Sequence, residues 1–180
     1  MKRFVLFVVL QLVVIMSFAQ SYIAHTVSGV NLREGPSTEY DIIEHLKKGT
    51  ALYVDLDESI EGWYLVVDIE NDIEGYVSSK YVELDKRVEK SNSTSIQKSA
   101  RSYDYNPAIH VKNSSSTSMS LRINSTTYRL SPYETIIVNM EPGRFSFRAS
   151  APGVVPRSGE YTVESNYDYE WEFYIVTRRR

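Results

Sequence analysis

The chain has 180 residues, a formal net charge of −3 at pH 7 and no cysteine. The missing cysteine excludes disulfides, thiolate metal sites, a cysteine nucleophile and a lipid-modified cysteine anchor. Charge is placed unevenly: residues 20–85 carry 4 basic and 14 acidic groups, a net of −10, while residues 86–106 come to +3 and residues 107–180 to +2. So acidic a segment argues against nucleic acid, anionic lipid and phosphate-rich polymers as partners.

Lys2 and Arg3 precede an apolar run from Phe4 to Met16, broken only by Gln11, and Ser17-Phe18-Ala19 follows with small residues where a signal peptidase reads. The run is shorter than the ~20 residues a bilayer span needs. Residues 1–19 are therefore expected to be a cleaved signal peptide. The mature chain from Gln20 is expected to be exported, periplasmic or secreted, with no membrane attachment after cleavage. Cleavage moves the net charge from −3 to −5, because it removes Lys2 and Arg3 and no acid.

Val30 and Leu32 alternate with Asn31 and Arg33, as a half-buried strand requires. Gly35 and Pro36 then make a rigid turn, in which glycine opens backbone angles closed to other residues and proline fixes its own φ. Further on, Leu52, Val54 and Leu56 share one strand face, with Tyr53, Asp55 and Asp57 on the other. In the next strand Trp63, Leu65, Val67 and Ile69 form the apolar face, opposite Tyr64, Val66, Asp68 and Glu70, so Trp63 is expected in the core. Asp68, Glu70, Asp72 and Glu74 fall at every second position. Such oxygens invite a calcium site. The helix-loop-helix calcium pattern would want glycine at Ile73 and an acid at Ser79, so a solvated strand edge charged against edge pairing is the better account.

The run Val30-Asn31-Leu32-Arg33-Glu34-Gly35-Pro36-Ser37 is followed in order by Leu46-Lys47-Lys48-Gly49-Thr50, Gly62-Trp63-Tyr64, Gly75-Tyr76-Val77 and Ser79-Lys80-Tyr81-Val82. This series resembles the bacterial Src-homology-3 (SH3) family over about residues 25–85. The resemblance implies a small barrel that serves as a non-catalytic binding or spacing module of the cell envelope. It also implies a shallow groove between loops, for which Tyr40, Tyr53, Tyr64, Tyr76 and Tyr81 are the candidate ligand-binding residues, because tyrosine pairs apolar area with a hydroxyl. Asn31, Arg33, Gly35, Pro36, Gly62, Trp63 and Gly75 are assigned structural roles. Arg33 is expected to hold the first loop by reaching a backbone carbonyl, or an acid such as Glu34 or Glu44.

Residues 86–106 are mostly polar and run through Ser91-Asn92-Ser93-Thr94-Ser95, with too little apolar surface to offset the entropy of ordering. They read as a flexible linker between a barrel over residues 20–85 and a second domain over residues 107–180. That second domain alternates in seven short runs, from Ile109 and Val111 to Tyr167–Ile175. Turns such as Ser131-Pro132, Glu141-Pro142-Gly143 and Ala151-Pro152-Gly153 separate them, which suggests a β-sandwich, broadly immunoglobulin-like. Tyr167, Tyr169, Trp171 and Phe173 line one face of its last strand. The stripe could be a carbohydrate platform, but core is the commoner use.

The fold class expected is thus all-β. His25, His45 and His110 show no metal-ligand spacing, and no nucleophile elbow occurs. No catalytic residue, metal or cofactor is assigned. The function expected is non-catalytic recognition of an envelope peptide, a peptidoglycan fragment or an envelope protein, with a cationic ligand favoured by the acidic barrel. Two alternatives stand beside it. One is a structural or secretion-associated role in which the C-terminal domain docks or sorts, a thought that Arg178-Arg179-Arg180 invites. The other, weaker, is a carboxylate-dependent hydrolase.

Overall fold

A computed structural model describes residues 20–89, 96–100 and 105–175. The expected signal peptide, residues 1–19, lies outside the described residues, as do residues 90–95 and 101–104 of the expected linker and the terminal arginines. The described chain is all-β apart from one 3-10 turn, Ser79–Tyr81.

Seven strands build the barrel: β1 (Ser21–Thr26), β2 (Val30–Arg33), β3 (Ile42–Leu46), β4 (Ala51–Ile60), β5 (Trp63–Asp68), β6 (Ile73–Ser78) and β7 (Val82–Val88). They form one sheet in the order β3-β2-β6-β5-β4-β1-β7. Its interior holds Ala24, Val30, Leu32, Leu46, Leu52, Val54, Val66 and Val77, with Tyr22, Tyr64, Tyr81 and Leu84 packed against them. Leu52 and Val54 thus face inward as their alternation predicts. In β5 the faces are reversed from the sequence reading. Tyr64 and Val66 point into the barrel, whereas Leu65 and Val67 are buried on its outside. Every position from Leu65 to Asp68 is buried, so period-2 hydrophobicity could not tell the two sides apart.

Eight strands form two further sheets: β8 (Ile96–Ala100), β9 (Ala108–Asn113), β10 (Met119–Ile123), β11 (Thr126–Leu130), β12 (Thr135–Asn139), β13 (Gly143–Ala151), β14 (Val154–Val163) and β15 (Tyr167–Phe173). Their orders are β11-β10-β13-β14 and β12-β9-β15-β8. Between them lie Ile109, Val111, Leu121, Leu130, Phe145, Phe147, Tyr169 and Trp171, so the aromatic stripe of β15 is core. Trp171 meets Phe147 edge-on at 4.7 Å. The seven runs read from the sequence correspond to β9 through β15. The two-sheet architecture is that of immunoglobulin domains, but the strand order is not: the first strand after the linker, β9, lies between β12 and a parallel β15.

The expected linker needs correction. β7 continues to Val88, and β8 lies wholly inside residues 86–106, antiparallel to β15 from Ile96↔Trp171 to Ala100↔Tyr167. A polar segment can be ordered without a core of its own when a neighbouring strand offers an unpaired row of N–H and C=O groups.

Candidate binding groove and the seam behind it

At one end of the barrel the turn after β2 folds back on itself. Arg33 Nη1 donates to the carbonyl oxygen of Tyr40 at 2.7 Å, and the Glu34 N–H donates to Asp41 O at 3.1 Å. Gly35 is buried, and a Cβ built there would stand 2.6 Å from three ring carbons of Tyr40. Its φ lies outside the left-handed region, so glycine is needed here for ring contact, not for the backbone freedom its sequence context suggests. Gly75 answers a similar demand between strands. A Cβ on it would lie 2.7 Å from Arg33 O and 2.9 Å from Leu32 Cγ, so β6 can approach β2 only without a side chain. Gly62, at φ 80, is the residue whose left-handed backbone turns β4 into β5.

This turn borders a groove of about 470 Å³, lined by Asn31, Arg33, His45, Trp63, Lys80 and Tyr81 with Gly29, Val30, Thr38 and Ser78. Asn31 Oδ1 and His45 Nδ1 are 2.8 Å apart, so Nδ1 carries a proton that it donates to the amide oxygen. The Lys80 ammonium sits 4.9 Å from the centroid of the Tyr81 ring. The lining therefore combines two aromatic side chains with three basic ones and includes no carboxylate.

Of the tyrosines expected here, only Tyr81 lines the groove. Tyr40 is exposed beside it and packs on Gly35. Tyr64 lies against the barrel interior, and Tyr76 is half-buried in β6 opposite Leu65. Tyr53 is fully buried and belongs elsewhere, as described next. Trp63, expected in the core, is half-buried on the groove wall. Its side of β5 is the outward side, and a correct facing for Val66 would have revealed this from the sequence.

Beyond the groove, the outer face of β4, β5 and β6 is covered by the outer face of β10, β13 and β14. Tyr53 Oη bonds Ser21 Oγ at 2.7 Å and Ser158 Oγ at 2.8 Å. Ser120 Oγ donates to Asp72 Oδ2 at 2.7 Å, and the Gly153 N–H donates to Ile69 O at 2.7 Å. Arg122 pairs with Glu58 and Glu74. Arg148, 4% exposed, pairs with Glu74 and stands 3.7 Å from Asp55 Oδ2. Burial raises the Tyr53 phenol above its usual range, against the pull of the two serine hydroxyls.

Three of the four alternate acids are thus not a solvated edge, while Glu70 is exposed. β5 and β6 are internal strands, Asp68 caps its own turn through the Glu70 N–H at 3.0 Å and Asn71 Nδ2 at 2.7 Å, and Asp72 and Glu74 bond across the seam. Among the described residues no three His, Cys, Asp or Glu side chains gather as metal ligands.

Searches among curated proteins and among solved structures find no match to this chain. The family model of the bacterial SH3 domain matches residues 28–83, a little under a third of the chain and the stretch that carries both the groove and the seam's acids. The barrel at the N-terminal end of this chain is a bacterial SH3 domain, a binding module.

Proposed function

We propose that this protein is an exported, non-catalytic binding protein of the bacterial cell envelope, and that its SH3 groove recognises a peptide, a peptidoglycan fragment or a segment of an envelope protein. The observation that carries the reading is the groove itself: Trp63 and Tyr81 give apolar stacking area beside Arg33, His45 and Lys80, on a loop fixed by Arg33 and Gly35. Aromatic faces with a few placed polar groups suit an extended ligand at modest affinity.

The charge preference follows the lining and not the net charge of the segment. The acids that motivated a cationic ligand include Asp55, Glu58, Asp72 and Glu74, and these are engaged with Arg122, Arg148 and Ser120 of the same chain. The groove instead suits a ligand that brings a carboxylate, such as a stem-peptide or protein C-terminus, within reach of Lys80 and Arg33.

The test uses residues 20–180 and muropeptides from digested peptidoglycan, with a short peptide ending in a free carboxylate and its C-terminal amide as a second pair. Binding should be lost in Trp63→Ala and weakened in Lys80→Glu, and the carboxylate should bind more tightly than the amide. Binding unaffected by both substitutions would remove the groove from the account.

A further inference from the structure

The edges of the three sheets are not alike. The strands at their ends are β3 and β7 in the barrel, and β8, β11, β12 and β14 in the sandwich. An open edge is a template for pairing with another chain, and a charge placed on it discourages that pairing. Five of these strands carry one: Glu44 in β3, Asp85 in β7, Lys98 in β8, Arg129 in β11 and Arg157 in β14. β12 carries none, because its residues are Thr135-Ile136-Ile137-Val138-Asn139. Ile137 at its centre is 58% exposed.

Pairing with β9 leaves the other side of β12 open. The Asn113 N–H donates to Glu134 O at 2.9 Å, and the Met140 N–H donates to Pro107 O at 3.2 Å. With Ile137 opposite His110, these two bonds fix the alternation along the strand. Ile136 and Val138 turn their N–H and C=O groups toward β9, while Thr135, Ile137 and Asn139 turn theirs away from it. No described residue pairs with that second side. The strand is also complementary to itself. Laid antiparallel on a second copy with Ile137 opposite Ile137, Ile136 meets Val138 and Thr135 meets Asn139, so no charge opposes another. The residues that face one another's backbone are then the ones with free groups, and each facing pair exchanges both N–H···O bonds. The two exposed Ile137 side chains cover each other. On the inward side Val138 belongs to the sandwich core and Ile136 packs against it, so the apolar layer continues across the junction.

We propose that β12 is a self-association edge: two copies of this chain pair their β12 strands antiparallel about Ile137 and join their four-stranded sheets into one continuous sheet. The partner it fits is a second copy, because the strand supplies its own complement in pattern, charge and backbone register. The sheet concerned is not the one whose outer face meets the barrel, so the seam and the SH3 groove are untouched by the pairing. The inference does not depend on the groove reading.

Sedimentation of residues 20–180 over rising concentration should show a monomer passing into a dimer. Ile137→Lys, at an exposed position, should keep the fold by circular dichroism and stay a monomer throughout. The chain has no cysteine, so single introduced cysteines read the register. Oxidised Ile137→Cys should give a covalent dimer, since facing Cα atoms in such a pair stand about 5.5 Å apart, within disulfide reach. Thr135→Cys should not cross-link to itself, because the two copies of that position lie about 13 Å apart along the strands. Mixed with Asn139→Cys, it should cross-link to that variant. A monomer at every concentration up to the millimolar range overturns the proposal. So does a dimer undiminished in folded Ile137→Lys, or self-cross-linking of Thr135→Cys as complete as that of Ile137→Cys.

Discussion

The SH3 barrel presents two polar surfaces that have been put to opposite uses. On the outside of β4, β5 and β6 acids and a buried tyrosine meet arginines and serines of the sandwich, and the surface is closed. At the groove, basic and aromatic side chains stand around an open concavity whose lining holds no acid. The first surface engages four of the segment's fourteen acids, Asp55, Glu58, Asp72 and Glu74, and the second has the shape for a ligand. The net charge of a domain therefore says little about what it binds when its charges can be neutralised within the same chain.

That contrast can be broken most severely at Arg148. It is buried between Glu74 and Asp55, so Arg148→Ala leaves Asp55 under a covered surface without a cation and Glu74 with Arg122 alone, and stability should fall by about 3–5 kcal/mol. Arg148→Met fills the volume but keeps Asp55 unpaired, and Arg148→Met with Asp55→Asn should recover part of the loss. Denaturant unfolding measures all three, and a loss under about 1 kcal/mol for the alanine variant would mean the seam is not a packed interface. Because the seam joins the two parts, the whole chain should unfold in one transition, where a free linker would have allowed two.

Gly75→Ala tests the groove side of the barrel. Its Cβ would meet the Arg33 carbonyl at 2.7 Å, so β6 or β2 must shift, at about 1–3 kcal/mol by the usual cost of overpacking. Thermal unfolding reads this, and muropeptide binding should weaken with it, since Arg33 holds the groove loop. Tyr53→Phe removes one hydroxyl and strands those of Ser21 and Ser158 at the seam, for about 1–2 kcal/mol with no effect on binding.

The smallest effect is at His25 in β1. Its Nδ1 is 2.9 Å from Asp85, and that hydrogen bond holds the imidazole pKa above its ordinary value. A raised folded pKa means the contribution is fully present below the unfolded value of about 6.5 and is lost as pH rises through the folded value. His25→Gln should flatten that slight decline of stability as pH rises past the unfolded value and leave the rest of the pH profile unchanged. A variant that declines just as the unsubstituted protein does would place the effect elsewhere.

Much of this molecule was legible in its sequence, and the failures share one physical cause. The motif series found the barrel, and the turn residues found seven of the eight sandwich strands, because both signals are local. β8 was missed because its order comes from pairing with β15, which no property of Gln97 or Lys98 announces. Tyr53 and Asp72 read as outward-facing, and Ser120 and Arg148 likewise face outward from their own sheet. What the sequence could not reveal is that the two outward faces meet. Once they do, Leu65 to Asp68 becomes buried on both sides, and the alternation that should have set Trp63 apart from Tyr64 no longer discriminates. Trp63 then moves from the expected core to the groove, and Tyr53 from the expected groove to the seam.

The two tryptophans give the most direct test of the central claim, that ligands are recognised at the groove and not on the acidic face. Trp63 lines the groove and Trp171 lies in the sandwich core. In a ¹⁵N-labelled sample of residues 20–180 titrated with muropeptides, the indole signal of Trp63 should move with the amides of Lys80 and Tyr81. That of Trp171 should stay in place. A ligand that moved the amides of Asp55, Asp72 and Glu74 while leaving the Trp63 indole unchanged would contradict the account.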